Sequence, residues 1–328
     1  MAGKCTVAFA TMLLIGNSWA GEPAVQALAD GVVLIQGGFE AGRQPDGNTV
    51  VLEGDDGLVV FDTGRHPAHS QRILDFAAKS GSPIVAVVNS HWHLDHISGN
   101  PRLRAAYPTL TVYASPAIDE AMSGFLANSR KQALQFLEQP GDPVQQADVR
   151  ADVATIESGK AVYPDINITQ AGEPSLAGRA LRIGFEANAV TAGDLWLYDI
   201  ATGTLAAGDL VTLPAPFFDT ACPPRWGEAL ARLQAVDFER LVPGHGPVMD
   251  RKMFETYKRA FDKLVHCAAS KAEPAACRDG WIADAAPLLA DDQQRKLAGM
   301  LLDYYLSAVL RDEEKQAGLC AAETPPAH

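Results

Sequence analysis

A short histidine-rich segment constrains this chain more than any other feature of its 328 residues. The segment His91-Trp92-His93-Leu94-Asp95-His96 follows the apolar run Ile84–Val88 after Asn89-Ser90, and this run is typical of a strand buried on both faces. Because imidazole and carboxylate are common ligands of zinc, iron and manganese, the segment predicts a metal site; a solvated histidine-rich loop is the alternative. We expect its first two histidines to point to one side and its aspartate and last histidine to the other, which suits two adjacent metal positions.

The composition excludes several classes of protein. Hydrophobic residues make up 47% of the chain and charged residues 20%, which is an ordinary globular mixture rather than a disordered one. The formal net charge is -13 and no Lys/Arg cluster is present, so the sequence argues against a nucleic-acid partner. The length allows one large domain or two smaller ones.

The first twenty residues predict a signal peptide. Lys4 is followed by the apolar run Cys5–Gly16, and Ser18-Trp19-Ala20 places small residues where a signal peptidase cleaves, after Ala20. An apolar run of about 12 residues is too short to span roughly 30 Å of hydrocarbon. We therefore expect an exported protein, periplasmic or secreted, with no membrane anchor once the signal is removed.

Four cysteines remain after the predicted signal peptide. An even number in an exported chain favours disulfides, and four cysteines allow three pairings. A bond between Cys267 and Cys277 would close a short loop and tie two helices together, which leaves Cys222 and Cys320. Free buried thiols are the alternative.

Strands and helices are predicted to alternate along the rest of the chain. Periodicity and turn residues predict strands at 32–36, 49–53, 58–62, 84–88, 110–114, 166–170, 180–186, 194–199, 203–207 and 240–242. Helices are predicted at about 67–80, 117–138, 143–158 and 225–235, and from 251 to 318. Asp55-Asp56-Gly57 forms a hairpin turn, and Ser115 is the expected N-cap of the 117–138 helix. That helix is an apparent insertion, which we expect to serve as a lid or to belong to the core.

The histidine segment and three shorter motifs resemble the metal-binding signature of the metallo-β-lactamase superfamily. In the order typical of the family, the shorter motifs are Phe61-Asp62-Thr63-Gly64, Ala207-Gly208-Asp209-Leu210 and Pro243-Gly244-His245-Gly246-Pro247. The resemblance covers roughly residues 30–250. It implies an α/β fold, a four-layer αβ/βα sandwich, with a helical C-terminal extension. The implied organisation is a signal peptide at 1–20, a metallo-β-lactamase-like domain at 21–250 and the extension at 251–328.

The resemblance also implies residue roles. The implied metal ligands are Asp95, His96, Asp209 and His245 at a complete second site, and His91, His93 and a share of Asp209 at the first. Asp95 and Asp209 are in addition the expected catalytic residues. Asp62 is expected to orient a ligand from outside the site, or to be a turn residue at the end of its strand.

Several further residues are candidates for the surroundings of the site. Trp92 is expected to pack beneath the metal loop or to line the substrate pocket. Phe217 and Phe218 are expected to form an apolar wall or to belong to the core. His66 and His69 are expected to be solvent-exposed, to cap a helix or to lie at the pocket rim.

One position departs from the family pattern. A further imidazole is expected in a segment like His-Thr-x-Gly-Asp, but this chain reads Val190-Thr191-Ala192-Gly193-Asp194 and has no histidine between His96 and His245. Two imidazoles bind a divalent cation less tightly than three, so we expect one or two zinc ions with a weak first site; iron or manganese are alternatives. Asn188 and Val190 are candidate pocket residues, and Asn188 could supply an oxygen contact.

These features together predict an exported zinc-dependent hydrolase that acts on a small-molecule substrate. Metal-activated water would cleave an acyl-type bond of an ester, thioester, lactone or lactam. Classical β-lactamases of this superfamily usually have Cys or Ser at the position of Asp209, so this residue favours the thioesterase, lactonase and general hydrolase branches. The alternative is a degenerate or non-hydrolytic metal-binding member, such as a sensor, an oxidoreductase or a sulfur-handling protein. The sequence does not predict the oligomeric state.

Overall fold

A computed structural model describes residues 25–39 and 42–321 of the chain. The predicted signal peptide and its cleavage point lie outside the described residues. Within the described ranges, no helix combines the length and the apolar character needed to cross a membrane.

The N-terminal half forms a seven-stranded sheet in which strands follow one another in chain order. The first four strands pair antiparallel, and β4 to β7 pair in parallel. A two-residue turn between β3 and β4 closes the predicted hairpin. The inner strand β5 is buried at four of its five residues, as its apolar run predicts. The strands are β1 (Val25–Ala29), β2 (Val32–Ile35), β3 (Thr49–Gly54), β4 (Gly57–Phe61), β5 (Ile84–Val88), β6 (Thr111–Ala114) and β7 (Ile166–Asn167).

A second sheet has five strands in the order β12-β11-β10-β9-β8. All neighbours are antiparallel except β11 and β12, which run in parallel. The strands are β8 (Ser175–Leu176), β9 (Arg179–Ala187), β10 (Gly193–Asp199), β11 (Thr204–Thr212) and β12 (Arg240–His245).

The described residues form eleven α-helices. They are α1 (Pro67–Ser80), α2 (Leu94–Ile97), α3 (Asn100–Ala106), α4 (Ile118–Ser123), α5 (Phe125–Leu137), α6 (Pro143–Glu157), α7 (Pro223–Gln234), α8 (Arg251–Ala268), α9 (Pro274–Asp284), α10 (Asp292–Ala308) and α11 (Glu313–Cys320). Apolar residues of the two sheets, such as Val88 and Leu197, pack against each other. Ile73 of α1 packs on the first sheet, and Leu230 of α7 packs on the second. Each element thus buries its apolar face against the next layer, and the predicted four-layer sandwich is confirmed.

The C-terminal helices α8 to α11 pack against the second sheet. Tyr257 of α8 and Trp281 of α9 belong to the same core as Trp226 of α7. Disulfides join Cys267 to Cys277, between α8 and α9, and Cys222 to Cys320, between the start of α7 and α11. The helical extension is confirmed, while a domain boundary at residue 250 stays a prediction.

The structure corrects the predicted helix at 117–138. Two helices, α4 and α5, occupy this range and are separated at Gly124, whose φ of -109° and ψ of -95° are not helical. Helix α4 begins at Ile118 with Ala117 at its N-cap position, two residues after the predicted N-cap. The Ser115 hydroxyl still accepts from the Ala117 N–H at 3.2 Å, as an N-cap side chain would from the second helical residue. The apolar pattern continues across Gly124, so periodicity alone could not reveal the break.

Candidate metal centre

The predicted ligand residues meet at one edge of the sandwich, where strands of both sheets end. Strand β5 leads through Asn89 and Ser90 into the histidine segment, whose last part forms the short helix α2 with Asp95 and His96. From the second sheet, β11 carries Asp209 and β12 ends at His245. Because β11 and β12 run in parallel, their carboxyl ends bring these two side chains to the same edge.

Four side chains form the first compact cluster, which we call the DHDH group: Asp95, His96, Asp209 and His245. Its donor atoms all lie within 4.8 Å of one another, and all four residues are buried. His245 Nε2 lies 2.9 Å from Asp95 Oδ2 and 3.5 Å from Asp209 Oδ1. His96 Nε2 lies 3.3 Å from the same Asp209 oxygen. The four residues predicted for the second metal site are therefore together.

A second cluster shares one member with the DHDH group. Donor atoms of His91, His93 and Asp209 lie within 4.8 Å of one another, and we call these residues the HHD group. His91 Nε2 is 3.8 Å from Asp209 Oδ2, whereas the other Asp209 oxygen faces His96 and His245. Asp209 therefore presents one oxygen to each group, as a bridging carboxylate would. Gly244 makes room for it, since a Cβ there would lie 2.0 Å from Asp209 Oδ1.

Several donor atoms in the two groups have no hydrogen-bond partner among the described residues. They are the Nε2 atoms of His91, His96 and His245 and both carboxylate oxygens of Asp209. A buried polar atom without a partner is costly, and most such atoms in native proteins are satisfied by protein, water or an ion. Imidazole nitrogens and carboxylate oxygens that converge in this way fit a divalent cation such as zinc.

The electrostatics of the site also favour a bound cation. Burial raises the pKa of Asp95 and Asp209, but the imidazoles of His96 and His245 outweigh it and hold both below their ordinary value. Burial lowers the pKa of His96, but Asp209, Asp62 and Asp95 raise it well above its usual range. Burial dominates for His91, whose pKa is lowered. Two ionised carboxylates thus lie buried and require positive charge from a proton or a metal ion.

Asp62 orients two of these imidazoles from outside the groups. It directly follows β4, and its Oδ2 lies 2.8 Å from His96 Nδ1 and accepts from the Ser90 hydroxyl at 2.7 Å. Because that hydroxyl donates to Asp62, its oxygen must accept from His91 Nδ1, 2.9 Å away. Both imidazoles therefore carry their proton on Nδ1 in this network and turn Nε2 towards the cluster. Partners of this kind fix the orientation of metal-binding imidazoles.

The structure does not bring Asn188 or Val190 into the clusters as donors. Val190 is fully buried in the core of the second sheet, and its N–H donates to Asp194 at 2.9 Å. Asn188 is half-buried in a left-handed turn with φ of 53°. The hydrogen bonds found for the described residues include none from the Asn188 side chain.

Trp92 packs between the ring of His93 and the helical insertion, α4 and α5. Its ring centroid lies 4.6 Å from that of His93 and 5.3 Å from that of Phe125 in α5. The same small core contains Ile118 of α4 and Leu126 of α5. Trp92 therefore packs beside the histidine segment, and together with His91 and Ile118 it also lines a small cavity.

Two histidines near the start of α1 differ from the expectation of solvent exposure. His66 and His69 are both buried. His66 Nδ1 lies 2.9 Å from Asp46 Oδ2, and His69 Nε2 lies 2.8 Å from Thr49 Oγ1. The surface expectation was wrong because both rings find polar partners inside the fold.

Residues that the sequence reasoning missed surround the two groups. Ser90 links Asp62 to His91, and its position directly before the first histidine was the signal that could have identified it. Phe39, which was also missed, contacts the His245 ring with a centroid distance of 5.4 Å. Phe217, an expected wall or core residue, contacts the same ring at 5.5 Å. Thr220 lies 3.0 Å from His93 Nε2, although no motif marks it in the sequence.

Comparison with known proteins identifies a family and several partial relatives. Residues 42–245 match the Metallo-beta-lactamase superfamily. The hydroxyacylglutathione hydrolase of a Synechococcus species is 43% identical over 51 residues, which are 16% of this chain and 20% of that protein. The enzyme of the same name from a Nostoc species is 34% identical over 87 residues, 26% of this chain and 30% of that protein. The chain thus spans less than a third of the length of these relatives.

Solved structures resemble a larger part of the chain. The metallo-beta-lactamase from Pontibacter korlensis is 18% identical with a TM-score of 0.53, over 73% of this chain and 98% of that one. The DIM-1 metallo-beta-lactamase is 13% identical with a TM-score of 0.53, over 74% of this chain and 98% of that one. At these identities the similarity shows a shared fold.

Proposed function

The chain belongs to the metallo-beta-lactamase superfamily, and we propose that it is a zinc-dependent hydrolase of small molecules containing an acyl-type bond. The observation that carries the proposal is the DHDH group, in which four buried side chains converge within 4.8 Å. Two of its imidazole nitrogens and both oxygens of its Asp209 have no other partner among the described residues. A fold that had lost its metal chemistry would have no physical reason to bury these atoms unpaired.

The two groups differ in what they offer a metal ion. The DHDH group provides two imidazoles and two carboxylates, enough for a complete tetrahedral zinc site. The HHD group provides two imidazoles and the shared Asp209, because Val190 stands where a third imidazole is expected. We therefore propose one firmly held zinc ion and a second, weaker one; iron and manganese suit the same donor atoms.

The residues around the cation would divide the work of hydrolysis. When bound, the metal supplies Lewis acidity and makes hydroxide available at neutral pH. Asp95 has the most exposed side chain of the DHDH group, at 11% against 1% for Asp209 and for His245, so it faces the opening. Its close contacts with His96 and His245 both involve Oδ2. Its Oδ1 therefore remains to orient the attacking water.

The surroundings of the site suggest which acyl substrates to test first. The hydroxyacylglutathione hydrolases that resemble parts of this chain are named for an acyl thioester, so we propose a thioester first. Lactones and esters follow, and a lactam is included because of the proposed export. Phe39 and Phe217 flank His245 and would give the acyl group an aromatic surface.

The test combines metal analysis with a substrate panel. The purified protein should contain one or two zinc ions per chain by elemental mass spectrometry. Chelation should abolish hydrolysis of at least one thioester, lactone, ester or lactam, and added zinc should restore it. Bound iron, or no turnover of any acyl substrate by the zinc-loaded protein, would favour the non-hydrolytic alternative.

We also propose that the protein is exported. The pattern of residues 1–20 supports a signal peptide, and two disulfides suit an oxidising compartment. Mass spectrometry of the protein from its native host should give Gly21 as the mature N-terminus. An intact N-terminal segment on cytoplasmic protein would contradict the proposal.

A further inference from the structure

The ring of His93 is held by a chain of two hydrogen bonds. Its Nε2 lies 3.0 Å from the Thr220 hydroxyl, which donates to the Val190 carbonyl oxygen at 2.9 Å. A hydroxyl has one proton, and here that proton is directed to the carbonyl, which can only accept. The Thr220 oxygen must therefore accept a hydrogen from His93 Nε2. With Nε2 protonated, a neutral His93 has its free lone pair on Nδ1, and only that atom can bind a metal ion.

Val190 thus influences the HHD group indirectly, through its backbone contact with Thr220. Its side chain supplies no ligand, but its carbonyl oxygen fixes the direction of the Thr220 hydroxyl. Because only two imidazoles are present in this group, each of them must present the correct nitrogen for a metal ion to be held. Fixing the tautomer of His93 before a metal ion binds excludes the form in which Nδ1 carries the proton and cannot bind the metal.

Thr220 belongs to the segment Leu213–Cys222, which we call the clamp loop because the C-terminal helices hold it on both sides of Thr220. On one side, the Tyr305 hydroxyl of α10 donates to Asp219 Oδ2 at 2.7 Å. On the other side, the disulfide joins Cys222 to Cys320 of α11. Near the start of the clamp loop, the Trp281 indole of α9 donates to the Pro214 carbonyl at 3.0 Å.

We propose that Thr220 is a positioning residue that sets the tautomer of His93, and that the C-terminal helices keep Thr220 in place through Tyr305 and the Cys222–Cys320 disulfide. The helical extension would then support the weaker metal group as well as the core. The metal-binding part of this inference rests on the proposed function; the tautomer of His93 does not. The two can therefore fail separately.

The first experiment reads the tautomer directly. Long-range ¹H–¹⁵N NMR of the ¹⁵N-histidine-labelled, metal-free full chain should show His93 protonated on Nε2. Thr220→Val removes the hydroxyl at nearly constant volume and should shift the ring towards the Nδ1-protonated form, whereas Thr220→Ser should restore the original signal. Thr256→Val removes an exposed hydroxyl of α8 and serves as the control. An unchanged Nε2-protonated His93 in Thr220→Val would overturn the proposal.

The second experiment tests the clamp by zinc titration. Replacing both Cys222 and Cys320 with Ala should weaken the weaker zinc site, by up to the roughly 10- to 100-fold expected for complete loss of the Thr220 contact. The pair Cys267 and Cys277, neither of which lies in the clamp loop, provides the control for loss of a disulfide and should weaken zinc binding less than the first pair. Tyr305→Phe removes the hydroxyl that contacts Asp219 and should also weaken zinc binding at the weaker site. This variant keeps both disulfides, so it tests the clamp even if the Cys222 and Cys320 variant does not fold. Equal zinc affinity in Tyr305→Phe and the unmodified protein would contradict the role of the clamp.

Discussion

Replacing Asp62 with Asn would change which nitrogen His96 presents to the DHDH group. The carboxylate accepts from the Ser90 N–H and hydroxyl, each at 2.7 Å, and lies 2.8 Å from His96 Nδ1. The amide of Asn has only one acceptor oxygen. If this oxygen takes the place of Oδ1 and accepts from the Ser90 N–H, the amide NH₂ takes the place of Oδ2. That NH₂ would face His96 Nδ1, so the ring would have to carry its proton on Nε2 instead. Its hydrogen would then point at Asp209, where we propose the metal.

The expected cost follows from the kind of partner that is lost. Outer partners of metal-binding imidazoles typically contribute 10- to 100-fold to metal affinity, or about 1.4 to 2.8 kcal/mol. Competition between the protein and a chromophoric chelator for zinc should show a loss in this range for Asp62→Asn. Asp56→Asn, in the exposed hairpin turn, is the matched control and should bind zinc as the unmodified protein does.

A clear result would refute this reasoning. If Asp62→Asn folds, as thermal unfolding of the metal-free protein would show, and still binds zinc with the original affinity, then Asp62 does not orient His96 for a metal. A loss of similar size in Asp56→Asn would also contradict the account.

Three further predictions concern other parts of the molecule. His245→Ala should lower zinc content and acyl hydrolysis together, and unchanged zinc by elemental analysis would exclude His245 as a ligand. Val190→His should raise zinc binding towards two ions per chain, and no change in stoichiometry would mean that residue 190 does not face the HHD group. Burial lowers the pKa of His69 to about 4, against 6.5 for the exposed side chain. The neutral His69 side chain therefore contributes fully to the free energy of unfolding above pH 6.5. This contribution, up to about 3 kcal/mol, is lost as pH falls towards 4. Measured by urea unfolding, metal-free His69→Gln should lose less stability between pH 7 and pH 4.5 than the unmodified protein does. Equal losses of stability in the two proteins would contradict this prediction.

The sequence predicted the parts of the fold that local patterns control. The apolar run Ile84–Val88 became the buried strand β5, and the histidine segment lies where that strand ends. The distant residues Asp209 and His245 could be added because each lies in a short motif that resembles one family. In the structure, their side chains lie beside those of Asp95 and His96.

The remaining features depend on contacts that no local pattern records. Thr220 and His93 are 127 residues apart, and nothing near Thr220 distinguishes it from other loop residues. The burial of His66 and His69 depends on Asp46 and Thr49 from other segments. The break at Gly124 is hidden because the apolar pattern continues on both sides of it.

Zinc-edge anomalous diffraction from crystals of the full chain grown with zinc tests the central claim most directly. We predict a strong peak at about 2 Å from donor atoms of Asp95, His96, Asp209 and His245, and a weaker one between His91 and His93. A well-folded protein that shows no anomalous peak among these side chains, although zinc is present in the crystal, would contradict the account.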